Sequence, residues 1–450
     1  MKSGIITYLI IGSSILLFGF SISYVFDDPA GQYDYKDFQK PNYCKQCHID
    51  FFQQWDQAMM SKAYTHEWDE IEYFDLAVAH SENDPNMKGV HEGCNGCHAP
   101  LSYTAGDMPP PKPSENSRAN ESVSCDFCHV IKDFEGDVPF NHNYIIEPGK
   151  TKFSTRKGET SSPNHDIQVT ELHGTAEFCG ICHNEKSSFG VWVKSTHLEL
   201  KEGPYYEEGV VCQDCHMTEA QGKTAKMGTR YNDSKLHLFH GAHDPGKLRG
   251  VVELRIYPDI QETVPGEPIK INVALFNQKT GHKFPTGSVE DRIVWLHVEA
   301  KDEAGNVYHL KVDKKGFAGE EYTIASEALA YQDMGVPLGR ENFKGVRRED
   351  VPLGDRIFRM PYFDPQGRMT IMQWNTDSLG VDYRFGPRET KMETFTWNVP
   401  FGIEPGEVEI TAVLNYRLLV KPVAELLKVP EEEYAIHEIN RQTASLTVYP

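Results

Sequence analysis

No cysteine in this chain stands outside one short repeated pattern, and none follows residue 216. That leaves no thiol for a separate disulfide framework or an independent zinc knuckle. A basic surplus is missing too: the formal net charge of -21 argues against nucleic acid and against an anionic lipid surface as partners. It suits a soluble domain whose partners present positive patches. There is no low-complexity tract, and 450 residues at 39% hydrophobic can build two or three ordinary domains. Charge is absent altogether from Ser3 to Phe26.

What the chain does have is one pentapeptide five times over. It reads Cys44-Lys45-Gln46-Cys47-His48, Cys94-Asn95-Gly96-Cys97-His98, Cys125-Asp126-Phe127-Cys128-His129, Cys179-Gly180-Ile181-Cys182-His183 and Cys212-Gln213-Asp214-Cys215-His216. Cys-x-x-Cys-His is the attachment signature of c-type haem. Two thiols at this spacing reach the two vinyl positions of one porphyrin, and the following imidazole becomes the proximal iron ligand. Zinc ribbons pair their knuckles, which would leave one of five over and give no reason for the histidine. A thioredoxin-like disulfide enzyme carries one such motif. The reading is five covalently bound haem c groups, with His48, His98, His129, His183 and His216 proximal.

The uncharged run of 24 residues from Ser3 to Phe26 would span about 36 Å as a helix, enough for a bilayer core. Lys2 precedes it and Asp27-Asp28 follow, so the remainder should lie outside the cytoplasm. Two readings stand: an uncleaved cytoplasmic-membrane anchor, or a signal peptide cut near Ser21-Ile22-Ser23 and a secreted product. Either exports the haem region to the periplasm or cell exterior.

The predicted organisation is residues 1–26 anchor or signal, 27–42 polar linker, 43–250 pentahaem domain and 251–450 β domain. In the haem region Phe51 to Met60 reads as a helix leaving the first motif, and the rest as short helical pieces between turns. Past Gly250 period-two runs take over at Val251–Ile256, Ile269–Leu275, Ile293–Val298 and Val408–Leu414. They are broken at Pro265-Gly266, Ala304-Gly305 and Pro405-Gly406. This predicts an all-β antiparallel sandwich of immunoglobulin-like size. Phe317 to Arg388 should form long loops, Val420 to Asn440 a helix or two, and Ser445 to Val448 a last strand.

Fourteen of the nineteen histidines lie outside the motifs, and ten of these fall in the haem region: His66, His80, His91, His142, His165, His173, His197, His237, His240 and His243. Such an excess predicts distal ligands for bis-histidine haems. Ten candidates for at most five positions means several are ordinary side chains. His91, His165 and His173 lie too close to the following motif to fold over its own haem, so each should cap a neighbour. His282, beside glycine in the β domain, is a further candidate.

The haem region resembles the multihaem cytochromes c related to the tetrahaem cytochrome that accepts electrons from hydroxylamine oxidation in ammonia oxidisers. The resemblance rests on Trp55 after the first motif, on Phe178-Cys179-Gly180-Ile181-Cys182-His183-Asn184 and on Val211-Cys212-Gln213-Asp214-Cys215-His216-Met217. Many relatives also carry a C-terminal β domain with a segment like Gly281-His282-Lys283-Phe284-Pro285-Thr286-Gly287. The resemblance implies that His237, in His237-Leu238-Phe239-His240-Gly241, is a distal ligand. It also exposes a departure. Relatives read Trp-x-x-Ser-Met-His after the first haem, whereas this chain has Trp55-Asp56-Gln57-Ala58-Met59-Met60. Met60, in preference to Met59, would then ligate the first iron, or else pack on the porphyrin while that iron stays open or takes a histidine such as His66.

Three functions fit. The first is electron transfer between a quinol-oxidising or dehydrogenase complex and other cytochromes, with no catalytic residue. The second is turnover of small nitrogen or sulfur compounds at a five-coordinate haem. The third is assembly into a cytochrome filament.

Overall fold

The structure, a computed structural model, describes residues 28–157, 162–315, 351–352 and 354–450. The run 3–26 predicted to anchor the chain, and the loop segment 317–350, lie outside the described residues. Among the described residues no helix is long and apolar enough to cross a membrane.

From residue 28 to about 250 the chain forms short helices, single helical turns and two-stranded ribbons. Composition marks 27–42 as a linker, and most of residues 28–42 are exposed, with Phe38 and Pro41 buried as anchor points. Phe38 is buried in a cluster with Leu101, Tyr103 and Phe127, and the Gln39 amide donates to Asp126 of the third motif at 2.8 Å. The aromatic residues of this stretch have apolar partners, so solvating them would cost free energy. The helix after the first motif runs Ile49–Asp56 and ends earlier than its apolar period suggests. Ser61 Oγ donates to the Asp56 and Ala58 carbonyls, and Ala58 is extended, so side-chain bonding competes with the next helical turn.

The C-terminal region is β-rich. Its main strands are β1 (Val252–Pro258), β2 (Glu262–Thr263), β3 (Pro268–Asn277), β4 (Ile293–Lys301), β5 (Val307–Leu310), β6 (Arg356–Phe358), β7 (Thr390–Asn398), β8 (Gly406–Arg417) and β9 (His437–Val448). One sheet has the order β2-β9-β8-β4-β5, with β6 also on β4; the other is β7-β3-β1. Pairing is antiparallel except for β2 on β9. Ile271, Val273, Leu275 and Phe395 of one sheet share a core with Val294, Leu296, Ile410 and Leu414 of the other. Alternation along β3 puts every second residue inward, which is the pattern the sequence displays.

The short β2, β5 and β6 have no counterpart among the period-two runs, and two longer strands also depart from that reading. β7 turns Glu393 inward, where Arg356 Nε meets its carboxylate at 3.0 Å. A charge on the inner face hides the alternation. β9 begins eight residues before the predicted Ser445, because its polar first half pairs with β8 while only Ile439 there is buried. The 421–440 interval supplies a helix, Lys421–Leu427, and a single turn, Glu431–Tyr434.

The two regions are closely joined. Trp68, Tyr73, Leu76 and Met87 of the haem region belong to the β core cluster. Arg384 Nη1 donates to Glu199 at 2.6 Å with both side chains nearly inaccessible, and Trp374 Nε1 donates to His80 Nδ1 at 3.0 Å.

Candidate haem-binding site

Each attachment motif is one turn of helix. The second to fifth sit in helices Val90–His98, Cys125–Val130, Ala176–His183 and Cys212–His216, and the first makes a turn through Cys44, Cys47 and His48. Residues at i, i+3 and i+4 share one helix face, so both thiols and the imidazole of a motif point the same way. Two motifs also use glycine for clearance. A Cβ on Gly96 would meet the His142 ring at 2.3 Å, and one on Gly180 would meet His197 at 2.8 Å.

All five motif faces open into one cavity of about 2750 Å³, lined by every motif cysteine and histidine except Cys94. Shared among five motifs this is about 550 Å³ each, within the roughly 300–1,000 Å³ of a cofactor pocket. The thiols of different motifs approach closely: Cys44 reaches Cys125, Cys97 reaches Cys182, and Cys179 reaches Cys212. In the loaded protein these sulfurs would be thioethers, so the contacts mark which attachment sites are neighbours. The fourth motif touches two others, one through each cysteine.

The imidazoles are oriented for iron. Nδ1 of His48 donates to the Thr224 carbonyl (2.5 Å), that of His98 to Ala63 (2.8 Å), that of His129 to Phe153 (2.8 Å) and that of His216 to His240 (2.7 Å). A ring whose Nδ1–H is held by a carbonyl presents a neutral Nε2 lone pair to a metal. Burial holds the His129, His183 and His237 imidazoles below their ordinary range, to about 4 for His183 and His237.

Two imidazoles bound to one ion from opposite sides, each at about 2 Å, hold their ring centres roughly 6 Å apart. Three pairs have this spacing with rings near parallel. His48 and His165 are 6.1 Å apart at 31°, His129 and His237 6.3 Å at 25°, and His216 and His282 6.4 Å at 16°. In the distal partners Nδ1 again goes to a carbonyl: Asp166 for His165, Lys235 for His237 and Lys283 for His282. The β region thus contributes a histidine to the haem cavity. Among the described residues no second imidazole stands at this spacing from His98 or His183.

Other candidates lie elsewhere. Met59 and Met60 line the cavity, but His165 rather than Met60 faces His48; the Met60 carbonyl accepts from Val123, at the entry to the third motif. His173 is 5.8 Å from His129, yet its Nε2 is spent on the Ile131 carbonyl. His91 does not line the cavity: it sits at the start of its own motif helix, and its Nδ1 bonds Ser81. His80 and His142 are also off the cavity, His80 clasping Trp374 and His142 packed on Gly96 and Tyr103. His197 lines it, with Nδ1 bonded to Asn184. His240 pairs with Asp244, while His66 and His243 converge on Glu433.

Residues 43–130 match the family model described as cytochrome c554 and c-prime. A solved penta-heme cytochrome c552 from Thermochromatium tepidum superimposes with a TM-score of 0.61 at 19% identity, over 91% of this chain and 99% of that one. The sporulation control protein Spo0M from Bacillus subtilis aligns over 45% of this chain and 50% of its own, at 12% identity, with a TM-score of only 0.17. No curated protein matches the chain in sequence. Five haem-attachment turns facing one cavity, the family match over the first three of them and the shared fold together support a multihaem cytochrome c with covalently bound haem.

Proposed function

We propose that the protein is a pentahaem c-type cytochrome that carries electrons between redox proteins outside the cytoplasm. The observation that carries this reading is the single cavity into which all five motifs face, with three opposed imidazole pairs across it. Haem c held in this way supplies reversible one-electron chemistry, and two nitrogen ligands favour transfer over substrate binding. The chain's own part is geometric. Its carbonyls fix the ring tautomers, its helical turns set the attachment sites, and its inter-motif sulfur contacts join the first site to the third and the fourth to the second and fifth. The partners we propose are a quinol-oxidising or dehydrogenase complex on one side and other cytochromes on the other. The charge-free run at residues 3–26 supports export, with anchoring or cleavage as its two outcomes. The shared inter-sheet core is consistent with an immunoglobulin-like β domain, and the flanks of the motifs with kinship to the ammonia-oxidiser cytochrome. The test is a haem and iron count on the purified protein with a redox titration. Five haems per chain that reduce and reoxidise reversibly are expected, and fewer than five would overturn the pentahaem reading.

A second reading draws on a specific observation. Among the described residues His98 and His183 lack an opposed imidazole, and Trp68 Nε1, Glu72 Oε1 and Gln373 Oε1 are buried without hydrogen-bond partners while their residues line the cavity, Glu72 and Gln373 beside His98. Burial, reinforced by Asp291 and Asp69, holds the Glu72 carboxyl well above its ordinary range, which favours its protonated form. A proton donor beside an open iron position would suit turnover of a small nitrogen or sulfur compound. A high-spin fraction that binds nitrite or cyanide, and loses affinity for it in Glu72→Gln, supports this; a wholly low-spin oxidised protein excludes it.

A further inference from the structure

Outside the haem attachment sites, three side chains from distant parts of the chain point at one spot. His66 Nε2 is 3.0 Å from Glu433 Oε1, and His243 Nε2 is 3.6 Å from Glu433 Oε2. The two rings stand 5.5 Å apart at 82°, and one ligand atom from each residue lies within 4.8 Å of the others. A tetrahedral ion with bonds of about 2.0–2.1 Å has ligand-to-ligand edges of roughly 3.3–3.4 Å. The two nitrogen–oxygen distances bracket that edge.

Two further features point to a cation. Nδ1 of His66 meets Asp69 Oδ2 at 3.0 Å, the carboxylate–histidine arrangement that fixes a metal-bound imidazole through its far nitrogen. Glu433 Oε2 is buried without a hydrogen-bond partner, a lone pair that an ion would satisfy. His66 and Glu433 are mostly shielded while His243 is about a third exposed, which leaves room for a water ligand. Imidazole nitrogens with one carboxylate and no thiolate suit a borderline divalent ion, where calcium or magnesium would require oxygen ligands.

We propose that His66, His243 and Glu433 bind one divalent transition-metal ion of the zinc class, with water completing the shell and Asp69 holding His66. Such an ion staples the Glu431–Tyr434 turn of the β region to both ends of the haem region. It is separate from the haem irons. His66 and Glu433 do not line the haem cavity, and His243, which does line it, turns its Nε2 to Glu433.

The experiment uses the haem-loaded protein, stripped with a chelator and titrated with zinc chloride by calorimetry, with elemental analysis of the dialysed product. One zinc per chain in addition to haem iron is expected, with a Tm that rises with free zinc. Glu433→Gln should abolish saturable uptake, Glu433→Asp should retain it, and Asp69→Asn should weaken it about 10–100-fold. The haem spectrum should be the same with and without zinc and in Glu433→Gln. No uptake, or uptake indifferent to Glu433→Gln, overturns the site. Loss of a low-spin haem in His243→Asn also overturns it, because His243 would then be an iron ligand.

Discussion

Replacing His282 with alanine removes an imidazole whose ring lies 6.4 Å from that of His216 and 16° from parallel. The loop that carries it is held independently of that ring. Thr280 Oγ1 donates to the His282 carbonyl at 2.7 Å, and the Phe284 and Phe385 backbones bond each other reciprocally. The substitution should therefore leave the loop in place and open one coordination position. The three opposed pairs predict three bis-histidine low-spin irons, of which His282→Ala should leave two. One third of the low-spin signal moves to high-spin, and one additional equivalent of carbon monoxide binds on reduction. The assay is electron paramagnetic resonance of the oxidised protein with a carbon monoxide titration of the reduced one, at a verified haem count. His91→Gln serves as control, since that ring does not line the cavity. An unchanged low-spin fraction in His282→Ala, or an equal change in His91→Gln, would refute the pairing deduced from ring geometry.

Further outcomes follow from the same geometry. His165→Ala should convert one more low-spin centre, while Met60→Ala should leave the axial spectra unaltered; a near-infrared methionine–iron band lost in Met60→Ala would reverse that assignment. Gly96→Ala places a methyl 2.3 Å from the His142 ring and should cost about 1–3 kcal/mol or more, read as a lower Tm and reduced haem loading at the second motif. Glu199→Ala strands the buried Arg384 guanidinium, which keeps only Asp382 as a counter-ion; about 3 kcal/mol should be lost in urea unfolding, within the range for a broken buried pair. Burial alone would raise the Asp382 carboxyl, but Arg384 and Lys283 hold it well below the ordinary carboxylate range. Its contribution is therefore present above the unfolded value near 3.8 and is lost as pH falls below it, so Asp382→Asn should flatten the acid limb of a Tm–pH curve.

The sequence by itself determined what is local. A haem-attachment motif is five contiguous residues on one helical turn, so its chemistry can be read without the fold. The strands of the β region are legible for a similar reason, because alternation along a strand is a property of adjacent residues. β7 was missed where the inward Glu393 breaks that alternation, and the polar first half of β9 where pairing with β8, not burial, makes the strand. The tertiary structure decided everything that joins distant residues. His48 and His165 are 117 positions apart, His129 and His237 108, and His216 and His282 66. No local pattern encodes such pairings, since a distal ligand needs only a free Nε2 aimed across a cavity, and chain closure over these lengths costs little more for one histidine than for another. Position relative to a motif could suggest His165 and could equally suggest His91, which does not line the cavity, while the family resemblance of its segment is what suggests His237. Only packing of the β region onto the haem region brings His282 to the cavity, and only that packing brings Glu433 to His66 and His243.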